Sequence, residues 1–139
     1  MQISEEFKKL LIDELKTVAK KVSEEKDFKK KNYFFSGAFG TVSRIFNFDF
    51  DHELILIHSV LNLAYGVIDT LQKRIERGEE EVIEIPDKFF DKLADLTKEL
   101  ALAIDNDENV YEVLQKIAVH SYILSGNGYY LYQKGIIKI

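Results

Sequence analysis

Apolar residues recur along the chain at three- and four-residue steps, the period of an amphipathic helix rather than a strand. The first stripe is Phe7, Leu10, Leu11, Leu15, Val18, Ala19 and Val22, set against a face rich in Lys8, Lys9, Lys16, Lys20 and Lys21. Ser4 is a good N-cap, and Glu5 and Glu6 suit the positive end of the helix dipole. A helix is therefore predicted from just after Ser4 to about Lys26. Asp27 is placed to cap a second helix to about Phe46, with Phe28, Phe35, Ala38, Phe39, Val42, Ile45 and Phe46 as its core side. Gly37 and Gly40 lie inside it. With Ser36 and Ser43 they read as a patch that lets another helix backbone come close. They are not a phosphate loop, because no Lys follows the glycines.

Asn47 to Asp51 reads as a connection, with Asp49 or Asp51 capping a third helix from about His52 to Arg77 and Gly78 closing it. Its first half is apolar almost all round, which places it in the middle of a bundle or in a dimer interface. Gly78 to Pro86 is a linker holding an acidic run, Glu79–Glu81, and a short β-branched stretch, Val82–Ile85. Asp87 is the expected cap of a fourth helix to about Ile104, and Asp107 of a fifth beginning near Glu108. Gly126-Asn127-Gly128 either ends that fifth helix or sits inside a longer one reaching Lys134. The end, Ile136–Ile139, is a candidate to pair with Val82–Ile85 in a small ribbon carrying Glu84 and Lys138. The predicted fold class is all-α. It is a single helical domain over residues 1–139, a five-helix bundle around the buried third helix, with that two-stranded ribbon as its one β feature.

Composition narrows the picture without changing it. At 139 residues, 46% apolar and 31% charged, with 1 Pro and 7 Gly, the chain can bury a core without disulfide or metal. The absence of cysteine removes thiol catalysis, iron–sulfur clusters and Cys-ligated zinc. The lysine-rich, Cys- and Met-poor make-up resembles that of hyperthermophile proteins. Residues 1–77 hold 13 basic and 12 acidic residues, while residues 78–139 hold 6 and 12, so the net charge of −5 belongs to the second half. A global nucleic-acid binder would be basic. Met1–Glu6 lacks the basic and apolar regions of a signal peptide. The longest mainly apolar run, Leu54 to Ile68, is 15 residues, short of the roughly 18–20 of a membrane span. A cytoplasmic setting with no membrane partner is expected.

Five groups of residues carry candidate chemistry. His58, Asn62, Tyr65 and Asp69 share one face of the third helix, with His120 as a partner across the bundle. His58 and Asp69 are about 16 Å apart along the axis, so they form no dyad, and a register-fixing or solvated polar stripe is the expected reading. No His has Glu three residues before it, which rejects the carboxylate-bridged di-metal motif and leaves His58 and His120 as a mononuclear alternative. Lys26, Lys29, Lys30 and Lys31, beside Phe28 and Tyr33 and with Arg44 on the same helix, are the candidate phosphate contacts. Tyr122, Tyr129, Tyr130 and Tyr132 are the candidate interface aromatics. Asp49, Asp51 and Glu53 read as dipole and cap partners before a cation site. Asp87, Asp91, Asp95 and Glu99 form an acidic row on a solvated face.

Lipase-type serine, zincin and dinucleotide motifs are absent. So is the Arg-x(4–6)-His spacing of the helical HEPN ribonucleases: the nearest pair, Arg44 and His52, is too far apart and spans a connection. No catalytic residue, metal ligand set or cofactor is assigned. The expected role is a non-catalytic interaction or assembly module that self-associates or binds a protein partner. The alternatives are an accessory subunit of a nucleic-acid-processing complex, and a metal-binding or enzymatic bundle centred on His58 and His120.

Overall fold

The computed structural model describes residues 1–139, all helix and connection, with no strand. Six helices follow one another: α1 (Glu5–Glu24), α2 (Phe28–Ile45), α3 (His52–Glu76), α4 (Phe89–Asp105), α5 (Tyr111–Tyr122) and α6 (Gly126–Gln133). The starts of the first three are written locally. Ser4 Oγ accepts from Phe7 N–H, Asp27 from Lys30 N–H, and Asp51 from the amides of Glu53 and Leu54. Asp51 also accepts from Gln2 N–H at 3.0 Å, and Asp49 from Ser4 N–H at 2.9 Å. The acidic cluster before α3 is thus spent on backbone amides. Burial pushes the Asp51 carboxyl up, but those three amides together hold it below the usual range.

Packing runs round a closed circuit: α1 on α2, α2 on α3, α3 on α5, α5 on α4 and α4 back on α1. The 30-residue core inside it draws on all five, with Leu11, Phe35, Leu61, Leu100 and Ile117 fully shielded. This corrects the expected architecture, because α3 is one wall of the circuit and not its centre. Its neighbours are α2 and α5, while α1 and α4 pack on each other. Apolar composition all round a helix does not create neighbours on every side. Here it leaves an outer face without charge.

Asp107 does not cap α5. It is the left-handed residue (φ 53°) just past the end of α4, where its N–H bonds to Ile104 and that of Glu108 reaches back to Ala103. This is the two-bond helix closure that usually takes glycine, and Asp is one of the few other residues that tolerates it. Gly78 and Gly135 close α3 and α6 in the same way, with φ of 68° and 75°. Freed from capping, the Asp107 carboxylate pairs with Lys8 of α1, whose stem is buried. Asn109 supplies the side-chain acceptor for the start of α5, at 2.8 Å from Tyr111 N–H.

Asp87 is likewise not a cap. The α4 helix begins two residues later on a Pro86–Phe89 turn, without a side-chain cap. The small-residue patch brings no helix backbone close: Gly37 faces the Glu14 and Val18 side chains of α1, and Gly40 faces open space beside Arg44. The glycine pair after α5 ends that helix and opens a separate one, with Ser125 accepting from Gly128 N–H. No ribbon forms. Val82–Ile85 is irregular, and Ile137–Ile139 instead shares a surface depression with Pro86–Lys88. Closing α6 with a turn at Gly135 sends the tail there and removes the register a ribbon needs.

Candidate functional site

The polar stripe of α3 lies along its seam with α2. His58 Nε2 is 2.8 Å from Ser43 Oγ, and the imidazole sits among Phe39 (5.9 Å, edge-on) and Phe46 (5.8 Å). Tyr65 leans on the same Phe39 at 5.2 Å. Asp69 forms an ion pair with Lys73 one turn on, at 2.9 Å. Asn62 points to solvent. The stripe therefore fixes the α2–α3 register through Phe39 and does not converge on a substrate-sized cavity. The sequence does not mark Ser43, Phe39 and Phe46 as partners of His58, because nothing in a helical period links residues 12 to 19 positions apart across a connection.

His120 is elsewhere. It is 4% exposed, stacked on Phe89 of α4 at 4.5 Å, with Nε2 2.8 Å from the Phe89 carbonyl oxygen. His58 packs on α2 and His120 on α4, so the two do not meet. Burial lowers the His120 pKa and Lys92 adds to this, while the bond to Phe89 opposes it. The unfolded chain, with an ordinary His pKa of about 6.5, then binds the proton more tightly than the folded one. Stability should be full above that value, fall as pH drops below it, and level off once the folded-state pKa is passed. Denaturant midpoints at pH 7.5, 6.5 and 5.5 will show this slope in the wild type. In His120→Phe the slope should be absent, whatever that variant's absolute stability.

The basic residues do not form one patch. Arg44 stands about 20 Å along α2 from Lys31 and donates to Thr41 Oγ1. Lys31 donates to the Val22 carbonyl at the end of α1 and lies over the Phe90 ring, and Lys29 pairs with Glu76 at 3.4 Å. Lys26 and Lys30 remain exposed. A lysine run at a helix start opposes that helix's own dipole, but here Lys31 serves the carbonyl end of α1 instead. Among the tyrosines, Tyr129 and Tyr132 rest 6.2 Å apart, Tyr130 lies under Lys134, and Tyr122 and Tyr130 are exposed.

The surface feature that stands out is the outer face of α3. Between Leu54 and Ile68 the helix carries no charged residue. Ile55 (42% exposed), Ser59, Asn62 and Leu63 (47%) face outward, with Gly66 and Thr70 continuing the row. Nothing lies within 4 Å of where a Cβ would stand on Gly66. Just before α3, Phe48 and Phe50 are exposed, and Phe50 meets His52 edge-on at 5.4 Å. By length and composition α3 is apolar enough to cross a membrane, with a third of its most apolar window buried against the rest of the protein. The face was readable as an interface or as a bundle centre; only the packing circuit shows that it is left uncovered.

No family model, no curated protein and no solved structure matches the chain.

Proposed function

We propose that the protein is a non-catalytic helical assembly module that self-associates through the outer face of α3. The observation that carries this reading is the uncharged, outward-facing row Ile55, Ser59, Asn62, Leu63, Gly66 and Thr70. A helix with one face against water ordinarily carries charge there every turn or so, as α1 does with Lys9, Asp13, Lys16 and Lys20. Within this uncharged strip Ile55 and Leu63 stand exposed, and exposed apolar surface of this kind suits a contact.

A second copy suits this strip better than another occupant. Each chain carries a net charge of −5, yet this face brings no like charges together when it pairs with itself. A two-fold pairing needs only one self-complementary patch. Ser59 and Gly66 flank Leu63 by four and three residues, giving small positions beside a large one. From Ile55 to Thr70 the face gives a nucleic acid no cation to hold, and Arg74 beyond it is paired with Glu79. The core side of α3 is held by α2 and α5, which argues against insertion into a bilayer.

The row is about 22 Å long, too little by itself for the roughly 800 Å² per partner of a stable interface. The exposed ring of Phe50, edge-on to His52 one turn before Ile55, extends it, and a dimer with a micromolar dissociation constant is expected. Sedimentation equilibrium will test this. Leu63→Lys should weaken the dimer at least about tenfold, because the buried lysine appears twice in the interface. A wild-type protein that stays monomeric at several hundred micromolar, or that partitions onto lipid vesicles instead of dimerising, overturns the reading.

A further inference from the structure

We propose that the cleft between α4 and α5 binds a small organic anion whose charged head has an O–H donor beside it. The second half of the chain is acidic and holds only six basic residues, Lys88, Lys92, Lys98, Lys116, Lys134 and Lys138. Three of the six, Lys92 from α4, Lys116 from α5 and Lys138 from the tail, line one cleft of about 520 Å³. They lie more than twenty residues apart in sequence, so the fold alone brings them together. Glu112 also lines the cleft, and Glu99 reaches Lys116 at 3.0 Å. Three ammonium groups against two carboxylates leave a local excess of positive charge.

His120 forms part of the wall, beside Leu96 and Val119. The Phe89 carbonyl can only accept, so the proton of the neutral ring sits on Nε2 and Nδ1 is left as a bare acceptor. That Nδ1 is buried and has no hydrogen-bond partner. A buried acceptor left unpaired is costly, and a ligand donor would remove that cost. The lysines repel a cation, and an apolar molecule leaves Nδ1 unpaired. A carboxylate with a neighbouring hydroxyl satisfies both. Because Nδ1 is closed to water, the hydroxyl reaches it with a local shift of the cleft wall.

The molecule supplies its own control. A second depression, between α1 and α4, also gathers three lysines, Lys16, Lys20 and Lys98, but no unpaired buried group lines it. The test is an NMR titration of the full chain with glycolate and, separately, acetate, which has the same charge without the hydroxyl. Glycolate should move the amides of Lys92, Lys116, Val119 and His120 saturably and shift the His120 Nδ1 resonance. Acetate should bind at least about threefold more weakly. The double variant Lys92→Gln/Lys138→Gln should lose about fivefold in affinity with its spectrum otherwise intact. Equal shifts around Lys16, Lys20 and Lys98, equal binding of the two anions, or no loss in the double variant each overturns the proposal.

Discussion

Phe89→Ala is expected to lower the free energy of unfolding by about 3–5 kcal/mol, the range for emptying a buried aromatic site. Phe89 is fully shielded at the first position of α4. Its ring stacks on His120 at 4.5 Å and meets Phe90 edge-on at 5.1 Å. Phe90 in turn meets Phe28 at the start of α2, at 5.4 Å, with Lys31 above its ring. One side chain therefore supports the junction of α4 with α5 directly and with α2 through its neighbour. Aromatic pairing of this geometry adds to the area term. In denaturant titrations the midpoint should fall while the slope stays constant. Leu102→Ala, at an exposed position of the same helix, should stay within about 0.5 kcal/mol of the wild type.

The second large effect is local. A methyl group on Gly128 would stand 1.7 Å from the Tyr122 carbonyl oxygen and 2.4 Å from its carbon. Both are backbone atoms at the end of α5, so no side-chain rotation relieves the overlap. Because α6 packs chiefly on α5, and lightly, Gly128→Ala should release α6 and leave the α1–α5 circuit standing. Hydrogen exchange should then show loss of amide protection over residues 126–133 with the core pattern kept. Retained protection in that segment would mean that α5 and α6 do not approach as closely as described.

Three of the five expected helix caps survive in three dimensions. Ser4, Asp27 and Asp51 cap the helices they precede, because an N-cap is decided within four residues. The apolar stripes place the core, because the helical period alone decides which face turns inward. Asp107 reads two ways for a physical reason: Asp is a favoured N-cap and also one of the few residues that tolerates the left-handed closing position of a helix. Here it takes the closing position of α4, and Asn109 supplies the acceptor at the start of α5. The place of α3 had the same origin. Its apolar run told that it needs cover, and only the packing of α1 on α4 told where cover is missing. The aromatic setting of His58 and the wall position of His120 come from pairings between helices that no spacing within one helix encodes.

The proposed assembly is tested most directly by cross-linking at the middle of the outer face. The chain has no cysteine, so Asn62→Cys introduces a single exposed thiol at the centre of the row from Ile55 to Thr70. If two copies pair through this face about a two-fold axis, the thiols meet near that axis. A disulfide-linked dimer should then form under mild oxidation far faster than in Thr17→Cys, exposed on α1. Leu63→Lys in the same background should slow it to the control rate. Equal rates at the two cysteine positions, with or without Leu63→Lys, would contradict self-association through α3.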